Sequence, residues 1–578
     1  MKYNPPTRIS ENHRMVGTNV FLLLCALLLG ACIAPDDHQT SKSITSNRPN
    51  ILLIVADDLG YTDLGAFGGE INTPNLDSLA RSGVKLTQFY VAPTCSPTRA
   101  ILMSGTDNHL AGLGNMAEEL RANQQGHPGY EGHLNARVAA LPELLRESGY
   151  HTYMTGKWHL SFDEDTSPEA RGFERSFALL PGGGGHFDDL PLVGPKRAVY
   201  REDSKITQLP EDFYSSRTYS ERLIEYLKAR PDDGQPFFAY LAFTAPHWPL
   251  QAPVESIARY KGRYDAGYDV LQAERFARMR ELGLLSEGMQ MTPLISGEPA
   301  WEDLSDYDKQ VASRNMEIYA AMVDDLDHYL GEVLDVLKER GEFDNTFIFF
   351  MSDNGPEGAR WEAGWEGLNK WVAACCDNSL DNMGEADSYL WYGPNWARAG
   401  APPFRMFKAF TTEGGIRAPA IARYPKTVSP DKTFREMATV MDVLPTILEL
   451  AQVEHPQSFQ GREVLPLRGA SMLPALSGDS ERVHSEDYVM GWEVFGHRAI
   501  RKGDWKIVWD TAAYMEKPQD PDILKDSWRL YNVANDPGER VDLSQQEPER
   551  LQALIAEWQN YVKETGLVLP DYNVGYAQ

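Results

Sequence analysis

The sequence predicts an α/β protein: a large, mainly parallel (mixed) sheet sandwiched by helices, followed by a smaller C-terminal α+β subdomain built on an antiparallel sheet. Three observations carry this prediction. Apolar strand patterns end abruptly at polar residues, helical patterns lie between them, and short strands with turn residues follow after about residue 485. With 578 residues, the chain is long enough to bury a large core.

The first strand pattern, NILLIVA at residues 50–56, is a continuous apolar run that stops at two aspartates. The same pattern recurs in HTYMTGK, FFAYLA, TFIFFMS and PAIARYP. Residues 137–149 and 315–341 place apolar side chains at helical spacing between these runs. Because strands alternate with helices, most neighbouring strands are expected to be parallel.

The C-terminal part has a different sequence pattern. Residues 497–510 and 528–544 contain short strand patterns joined by turn residues, and residues 547–564 form an amphipathic helix pattern. We therefore predict a main α/β domain over residues 49–485 and an antiparallel-sheet subdomain over residues 486–578.

The N-terminus precedes the fold. Basic residues lead into the apolar run VFLLLCALLLGAC, which is shorter than the ~20 residues that span a bilayer and is typical of a secretory signal. Its end, LLGAC, resembles a bacterial lipobox, in which Cys32 is lipidated; plain signal cleavage nearby and an uncleaved anchor are the alternatives. We predict a signal peptide over residues 1–31, a polar tether over 32–48, and a periplasmic protein anchored to the outer membrane only through Cys32.

The charge and motif content of the sequence limit the kinds of ligand that the protein is expected to bind. The formal net charge of −28 argues against a nucleic-acid partner, which would need a basic face. The glycine loop at 181–186 lacks the lysine and serine of a P-loop, so nucleotide binding is a poor interpretation. The protein is expected to be a monomer.

Of the five cysteines, one has no obvious disulfide partner. Cys25 lies in the signal, Cys32 belongs to the lipobox, and Cys375 and Cys376 are adjacent, either as a vicinal disulfide or as thiols. Cys95 therefore remains as a free thiol in an exported protein, where such a group is a liability or a functional group.

Polar residues follow the strand patterns, where ligands bind in open α/β sheets. They are Asp57, Asp58, Lys157, His159, His247, Asp353 and Asn354. Taken singly, these aspartates could be helix caps or turn residues. As two pairs, Asp57 with Asp58 and Asp353 with Asn354 offer hard oxygen ligands that suit Ca²⁺ or Mg²⁺ better than Zn²⁺.

A cationic set accompanies the expected metal: Arg99, Lys157, His159, His247 and Lys408. Cations beside a divalent ion indicate an oxyanion substrate such as sulfate or phosphate, and hence ester hydrolysis. Ser96 and Pro97 start a helix that holds Cys95 near this set. Cys95 could be a thiolate nucleophile or a buried, inert cysteine, and both interpretations stay open. An oxygen at position 95 would nevertheless fit a calcium-type site better than sulfur.

These motifs resemble those of a known family. CSPTRA at residues 95–100 resembles the Cys-x-Pro-x-Arg signature of type I sulfatases, and GYHTYMTGKWHLS at 149–161 is similar to their second signature, with Ser161 where a glycine is common. ADD and SDNG resemble the two metal-binding segments, residues 377–425 resemble the bacterial arylsulfatase branch, and residues 530–543 resemble the C-terminal subdomain of the family.

The resemblance implies an alkaline-phosphatase-like fold and a sulfuric ester hydrolase. Cys95 would become Cα-formylglycine (3-oxoalanine) through a formylglycine-generating or anaerobic sulfatase-maturating enzyme. The implied ligands of one Ca²⁺ are Asp57, Asp58, Asp353 and Asn354, with modified Cys95 facing the ion. The implied catalytic residues are Cys95, Arg99, Lys157, His159, His247, Asp353 and Lys408.

The resemblance also implies roles. One hydroxyl of the aldehyde hydrate would attack sulfur with Asp353 as base, and His247 would protonate the leaving alcohol while Lys408 binds sulfate. His159 would then deprotonate the second hydroxyl and expel sulfate. Arg99 and Lys157 would stabilise the formylglycine oxygens and the sulfate charge.

Two alternatives stay open: a phosphonate monoester or phosphodiester hydrolase with the same formylglycine, and a non-catalytic lipoprotein that binds sulfated glycans. Substrate choice is expected to depend on loops at 186–235, 255–305 and 358–405. Five tryptophans in the last region form either local packing or a stacked pocket wall: Trp361, Trp365, Trp371, Trp391 and Trp396. A small sulfate ester is the expected substrate.

Overall fold

The structure is a computed structural model that describes residues 48–293, 298–359, 366–509 and 527–571. The predicted signal peptide and lipobox, all but residue 48 of the predicted tether, and Trp361 and Trp365 lie outside the described residues. None of the described helices has the length and apolar character needed to cross a bilayer.

A mixed sheet of eleven strands forms the centre of the molecule. Its strands are β1 (Asn50–Ala56), β2 (Val84–Tyr90), β3 (His151–Lys157), β4 (Arg175–Leu179), β5 (Tyr200–Glu202), β6 (Lys205–Thr207), β7 (Phe237–Ala242), β8 (Thr346–Ser352), β9 (Arg417–Arg423), β10 (Lys432–Phe434) and β11 (Ala438–Thr439). The order is β10-β2-β9-β8-β1-β7-β3-β4-β5-β6, and β11 also pairs with β2.

The middle of this sheet is parallel. Strands β8, β1, β7, β3 and β4 run in one direction, whereas β9 is antiparallel to both β8 and β2, and β5 and β6 form an antiparallel edge. The predicted mainly parallel, mixed sheet is therefore confirmed.

Helices cover both faces of the sheet. They are α1 (Pro74–Arg81), α2 (Cys95–Ser104), α3 (Asn108–Ala111), α4 (Leu141–Glu147), α5 (Ser215–Ala229), α6 (Val254–Ala258), α7 (Tyr268–Glu281), α8 (Asp306–Glu339), α9 (Glu366–Cys375), α10 (Gly393–Ala399), α11 (Glu413–Ile416), α12 (Val443–Ala451), α13 (Leu473–Ser477) and α14 (Pro548–Thr565). Alternate residues of β1 point to opposite faces, so Ile51 and Leu53 enter one apolar core and Leu52 and Ile54 enter the other.

The C-terminal part forms a second, antiparallel sheet. Its strands are β14 (Val489–Val494), β15 (His497–Lys502), β16 (Trp505–Trp509) and β17 (Arg529–Asn532), and a short hairpin, β12 (Ser458–Phe459) with β13 (Arg462–Glu463), precedes it. Helix α14 packs on one face of this sheet. The other face joins the core of the main sheet, where the Trp492 indole donates to the Val91 carbonyl at 2.9 Å. The predicted antiparallel layer is thus present, while the predicted domain boundaries stay predictions.

Candidate active site

Two carboxylates and an amide meet where neighbouring parallel strands end. Ala56 of β1 pairs with Ser352 of β8, so the residues that follow the two strands lie side by side. The Asn354 Nδ2 donates to Asp58 Oδ1 at 2.7 Å, and the Asp58 backbone N–H lies 3.4 Å from Asp353 Oδ1. Asp58 has a φ of +66°, a conformation that few residues other than glycine adopt. The turn after β1 therefore holds a carboxylate over the end of β8.

The donor set at this place fits a hard divalent cation. Asp57, Asp58, Asp353 and Asn354 are buried, and Asn354 Oδ1 has no hydrogen-bond partner among the described residues. An orphaned buried oxygen is rare unless an ion or water completes it. Candidate ligand atoms of Asp57, Asp58, Cys95 and His247 lie within 4.8 Å of one another. The oxygen-rich donor set suits Ca²⁺ or Mg²⁺.

Cys95 is the first residue of α2 and is only 1% exposed. Its thiol donates to Asp57 Oδ1 at 3.3 Å. Burial and the Asp57 carboxylate raise the pKa of the thiol well above its ordinary value. Since a neutral thiol is a weak nucleophile, the structure disfavours a simple thiolate mechanism.

Three cations alternate with these carboxylates. The Arg99 guanidinium donates through Nε and Nη2 to Asp353 Oδ2 at 2.9 and 2.8 Å, and through Nη1 to the Lys157 carbonyl at 2.8 Å. Lys157 Nζ lies 2.5 Å from Asp57 Oδ2, and Lys408 Nζ lies 2.8 Å from Asp58 Oδ1. Charge within the cluster is thereby compensated side chain by side chain.

Burial opposes the charged state of these carboxylates. It raises the pKa of Asp58 to about 6 despite the nearby Lys408 ammonium, and it also raises the pKa of Asp353. A bound cation would reverse this penalty, which is a further reason to assign the carboxylates to a metal.

His247 follows β7 and enters the cluster without charge. Its Nδ1 donates to the Trp248 carbonyl at 2.5 Å, and Nε2 lies 3.6 Å from Asp58 Oδ2. Burial, with the charges of Lys408 and Lys157, lowers the pKa of His247 well below its ordinary value. The neutral ring leaves Nε2 facing the carboxylate cluster.

His159 occupies a second strained position, with a φ of +52° two residues beyond β3. Its Nε2 lies 2.8 Å from Glu118 Oε1. Burial lowers the pKa of His159, and Lys157 and Arg99 lower it further, which outweighs the opposite effect of Glu118.

The structure brings the predicted residues together. Direct contacts link nine of them: Asp57, Asp58, Cys95, Arg99, Lys157, His247, Asp353, Asn354 and Lys408. The tenth, His159, shares a cavity with Cys95, His247 and Lys408. Their chemical roles stay predictions.

That cavity of about 480 Å³ leads from residue 95 to the surface. Its base is polar, and its walls include Met116, Phe162, Leu192, Val193 and Trp248. Of the three predicted specificity loops, only the loop at 186–235 contributes to the described lining. Among the described residues, the cavity wall therefore comes mainly from segments near 116–121, 159–162 and 181–199.

The tryptophans of residues 371–396 serve as packing instead. Trp396 is buried against Tyr264, Tyr268 and Trp301, and Trp371 packs on Tyr389. None of the described tryptophans of this segment appears in the cavity lining. Cys375 and Cys376 form a vicinal disulfide, which decides between the two states left open by the sequence.

Several site neighbours were missed by sequence reasoning. Glu118 contacts His159, Glu357 lies 3.3 Å from Lys408, and the Tyr240 hydroxyl lies 3.3 Å from Arg99. Trp248 directly follows His247, so its place in the cavity wall could have been found from adjacency alone. The two glutamates carry no comparable signal.

Comparison with known proteins identifies the family. The sulfatase family model matches residues 49–453, and the model described as N-sulphoglucosamine sulphohydrolase, C-terminal, matches residues 404–565. An uncharacterized sulfatase of Schizosaccharomyces pombe is 48% identical, covering 91% of this chain and 96% of the relative. An arylsulfatase of Klebsiella aerogenes is 37% identical over 74% of this chain and 91% of the relative.

A solved structure agrees with these sequence matches. The crystal structure of Ps i-CgsB has a TM-score of 0.62 and 26% sequence identity, covering 89% of this chain and 92% of that chain. Because the family match extends over most of the chain and the cluster at the strand ends contains its signature residues, the protein belongs to the type I sulfatases, has their alkaline-phosphatase-like fold and is a sulfuric ester hydrolase.

Proposed function

We propose that this sulfatase hydrolyses small, arylsulfatase-type sulfate esters through a Cα-formylglycine made from Cys95 and one bound Ca²⁺. The observation that carries the proposal is the position of Cys95. Its side chain lies at the base of the cavity, at the start of α2, and 3.3 Å from a carboxylate of the candidate metal site.

Ca²⁺ would be held by Asp57, Asp58, Asp353 and Asn354, with residue 95 facing the ion. The unpartnered Asn354 Oδ1 and the buried carboxylates support this assignment. A bound divalent ion supplies positive charge that favours the reacting oxygen and the sulfate group.

A formylglycine at position 95 would supply a hydrated aldehyde, whose two hydroxyls on one carbon provide both a nucleophile for sulfur and a route for the release of sulfate. Asp353 would accept the proton of the attacking hydroxyl. Arg99 makes a forked contact with the Asp353 carboxylate, which fixes its orientation. Lys157 and Lys408 bring positive charge to the base of the cavity, where they would bind the sulfate oxygens.

His247 would protonate the leaving alcohol. Its ring is neutral in the free protein, but a bound sulfate brings negative charge into a buried site and raises the pKa of a neighbouring imidazole. The hydrogen bond from Nδ1 to the Trp248 carbonyl holds the ring with Nε2 toward the cluster, so the proton is delivered from Nε2. His159 would take the proton of the second hydroxyl.

The cavity supports a small alcohol rather than a long polyanion. Its volume of about 480 Å³ and the apolar side chains within its mixed lining suit an aromatic or compact aliphatic group. The net charge of −28 opposes long sulfated glycans.

Mass spectrometry of the tryptic peptide that contains residue 95 tests the proposal. We expect an aldehyde in place of the thiol when the protein is isolated from its native host, and Cys95→Ala should fold but have negligible turnover of an aryl sulfate. An intact, alkylatable thiol in active protein would overturn the formylglycine assignment. A large preference for an aryl phosphonate monoester over the aryl sulfate would overturn the choice of substrate.

We also propose that the protein is exported as a monomer and anchored through a lipid on Cys32. The polar segment at 33–48 would give the folded part distance from the membrane. Fractionation of cells that express the full chain and its Cys32→Ser variant tests this. Release of the variant into the soluble periplasm is expected, and identical membrane association of both would contradict the anchor.

A further inference from the structure

One acidic side chain contacts the site without a role in the proposed reaction. Glu118 lies in a turn at Ala117–Glu119, and its Oε1 lies 2.8 Å from His159 Nε2. Because a carboxylate only accepts hydrogen bonds, this contact places the ring proton on Nε2 when the imidazole is neutral. Nδ1 then carries the lone pair.

The other ring nitrogen is unused within the protein. His159 Nδ1 is buried and has no hydrogen-bond partner among the described residues. Buried polar atoms are nearly always satisfied, so an exception at the wall of a reaction cavity points to a function. The φ of +52° at His159 indicates that the surroundings impose this placement on the backbone.

A glycine makes the contact possible. A Cβ at Gly182 would lie 2.7 Å from His159 Cε1 and 3.0 Å from Glu118 Oε1, so any side chain there would displace the ring or the carboxylate. Gly182 belongs to the glycine loop at 181–186, which also lines the cavity and which nucleotide binding does not explain. Gly182 therefore packs directly against both members of the pair.

We propose that Glu118 is a positioning residue for His159: its carboxylate fixes the Nε2–H tautomer and leaves Nδ1 as the proton-accepting atom of the ring. This inference rests on the proposed function, in which His159 takes a proton from the group at residue 95. The proton moves from a hydroxyl to Nδ1, and Glu118 keeps its negative charge throughout.

Turnover of Glu118→Ala tests the role. The groups that face His159 are Glu118, Lys157 and Arg99. We expect kcat to fall about 10- to 100-fold, as for other residues that orient a catalytic ligand, with KM changed less than about twofold because Glu118 does not bind the sulfate. Loss of the carboxylate also lowers the pKa of His159, so the acid limb of the kcat profile moves to lower pH.

Matched variants separate positioning from folding. Glu174→Ala removes a carboxylate that pairs with another histidine, His151, outside the described cavity lining, and should keep kcat within about twofold. Glu118→Asp should recover part of the lost kcat. Gly182→Ala should lower kcat without any change of charge. Peptide mass spectrometry confirms equal modification of Cys95 in every variant.

Imidazole ¹⁵N NMR gives a readout that needs no turnover. In histidine-labelled protein, with the resonance assigned from His159→Gln, His159 should be the Nε2–H tautomer in the wild type and in Glu174→Ala, and a mixture in Glu118→Ala. An Nδ1–H tautomer in the wild type, or wild-type kcat in Glu118→Ala, would overturn the inference. Failure of the proposed function differs, because the wild type itself would then lack formylglycine or turnover.

Discussion

Lys506→Met should destabilise the protein far more than an ordinary lysine substitution. Lys506 Nζ lies 3.0 Å from Glu413 Oε1 and 2.9 Å from Glu539 Oε1, and all three side chains are fully buried. The substitution leaves two carboxylates in the interior without their shared cation. Breaking a buried pair in this way costs about 3–5 kcal/mol, or on the order of a 100- to 5,000-fold change in the unfolding equilibrium.

Loss of the Lys506 ion pairs should also disturb the active site. Glu413 begins α11, and the segment before it carries Lys408, whose backbone N–H donates to the Pro356 carbonyl at 3.0 Å. Lys506 lies on β16 of the second sheet, so its contact with Glu413 connects that sheet to the loop that carries Lys408. We therefore expect turnover to fall together with stability.

Thermal and urea unfolding at pH 7 and pH 5 provide the assay. Burial raises the pKa of Glu539 even with Lys506 present. Without the ammonium that pKa rises further, so a proton neutralises one carboxylate in mild acid, and the gap between the variant and the wild type should narrow at pH 5.

Lys502→Met is the matched control. Lys502 lies on the adjacent strand, with a side chain 33% exposed, and pairs with Glu557 at 3.0 Å. Its loss should cost less than about 1 kcal/mol. Equal stability of the Lys506 and Lys502 variants at pH 7 would refute the reasoning.

Three further predictions concern the metal, the core and the second sheet. Chelation should lower the Tm of the wild type and leave that of Asn354→Leu almost unchanged, since the variant loses a ligand oxygen; equal shifts would contradict the assignment. Trp396→Ala should cost about 3–5 kcal/mol in urea unfolding through a cavity beside α7, and a loss under 1 kcal/mol would contradict the packing. Burial lowers the pKa of His109, but Asp107 and Glu493 raise it to about 9. The stability advantage of the wild type over His109→Gln should therefore be full below pH 6.5 and disappear as the pH rises through 9, and a pH-independent difference would contradict it.

The strand-end residues could be predicted because the local sequence shows where each strand ends, and parallel neighbouring strands end at the same edge of the sheet. An apolar run that stops at Asp57 and another that stops at Asp353 must bring the two residues together if the strands are parallel neighbours. Lys408 has no such strand-end signal, because it lies on an irregular loop between α10 and α11.

The remaining contacts depend on tertiary structure. Glu118 sits in a polar stretch that reads as ordinary surface, and its importance comes from the approach of His159 and Gly182 in the folded chain. Helix α8 begins at Asp306, nine residues before the apolar pattern at residue 315, because Ser305 caps a first turn of mostly polar residues. Periodicity detects the buried part of a helix and misses its exposed start.

The burial of Cys95 has a consequence for the order of events in biosynthesis. The contact from Lys408 to Asp58 joins residues 350 positions apart, so the cluster closes only after most of the chain has been synthesised. Long sequence separations slow folding. Since Cys95 is 1% exposed once the fold is complete, an enzyme that carries out the proposed modification would have to act during this interval. On the proposed modification, the late closure of the cluster would leave Cys95 accessible, and a faster-folding variant should contain a larger unmodified fraction.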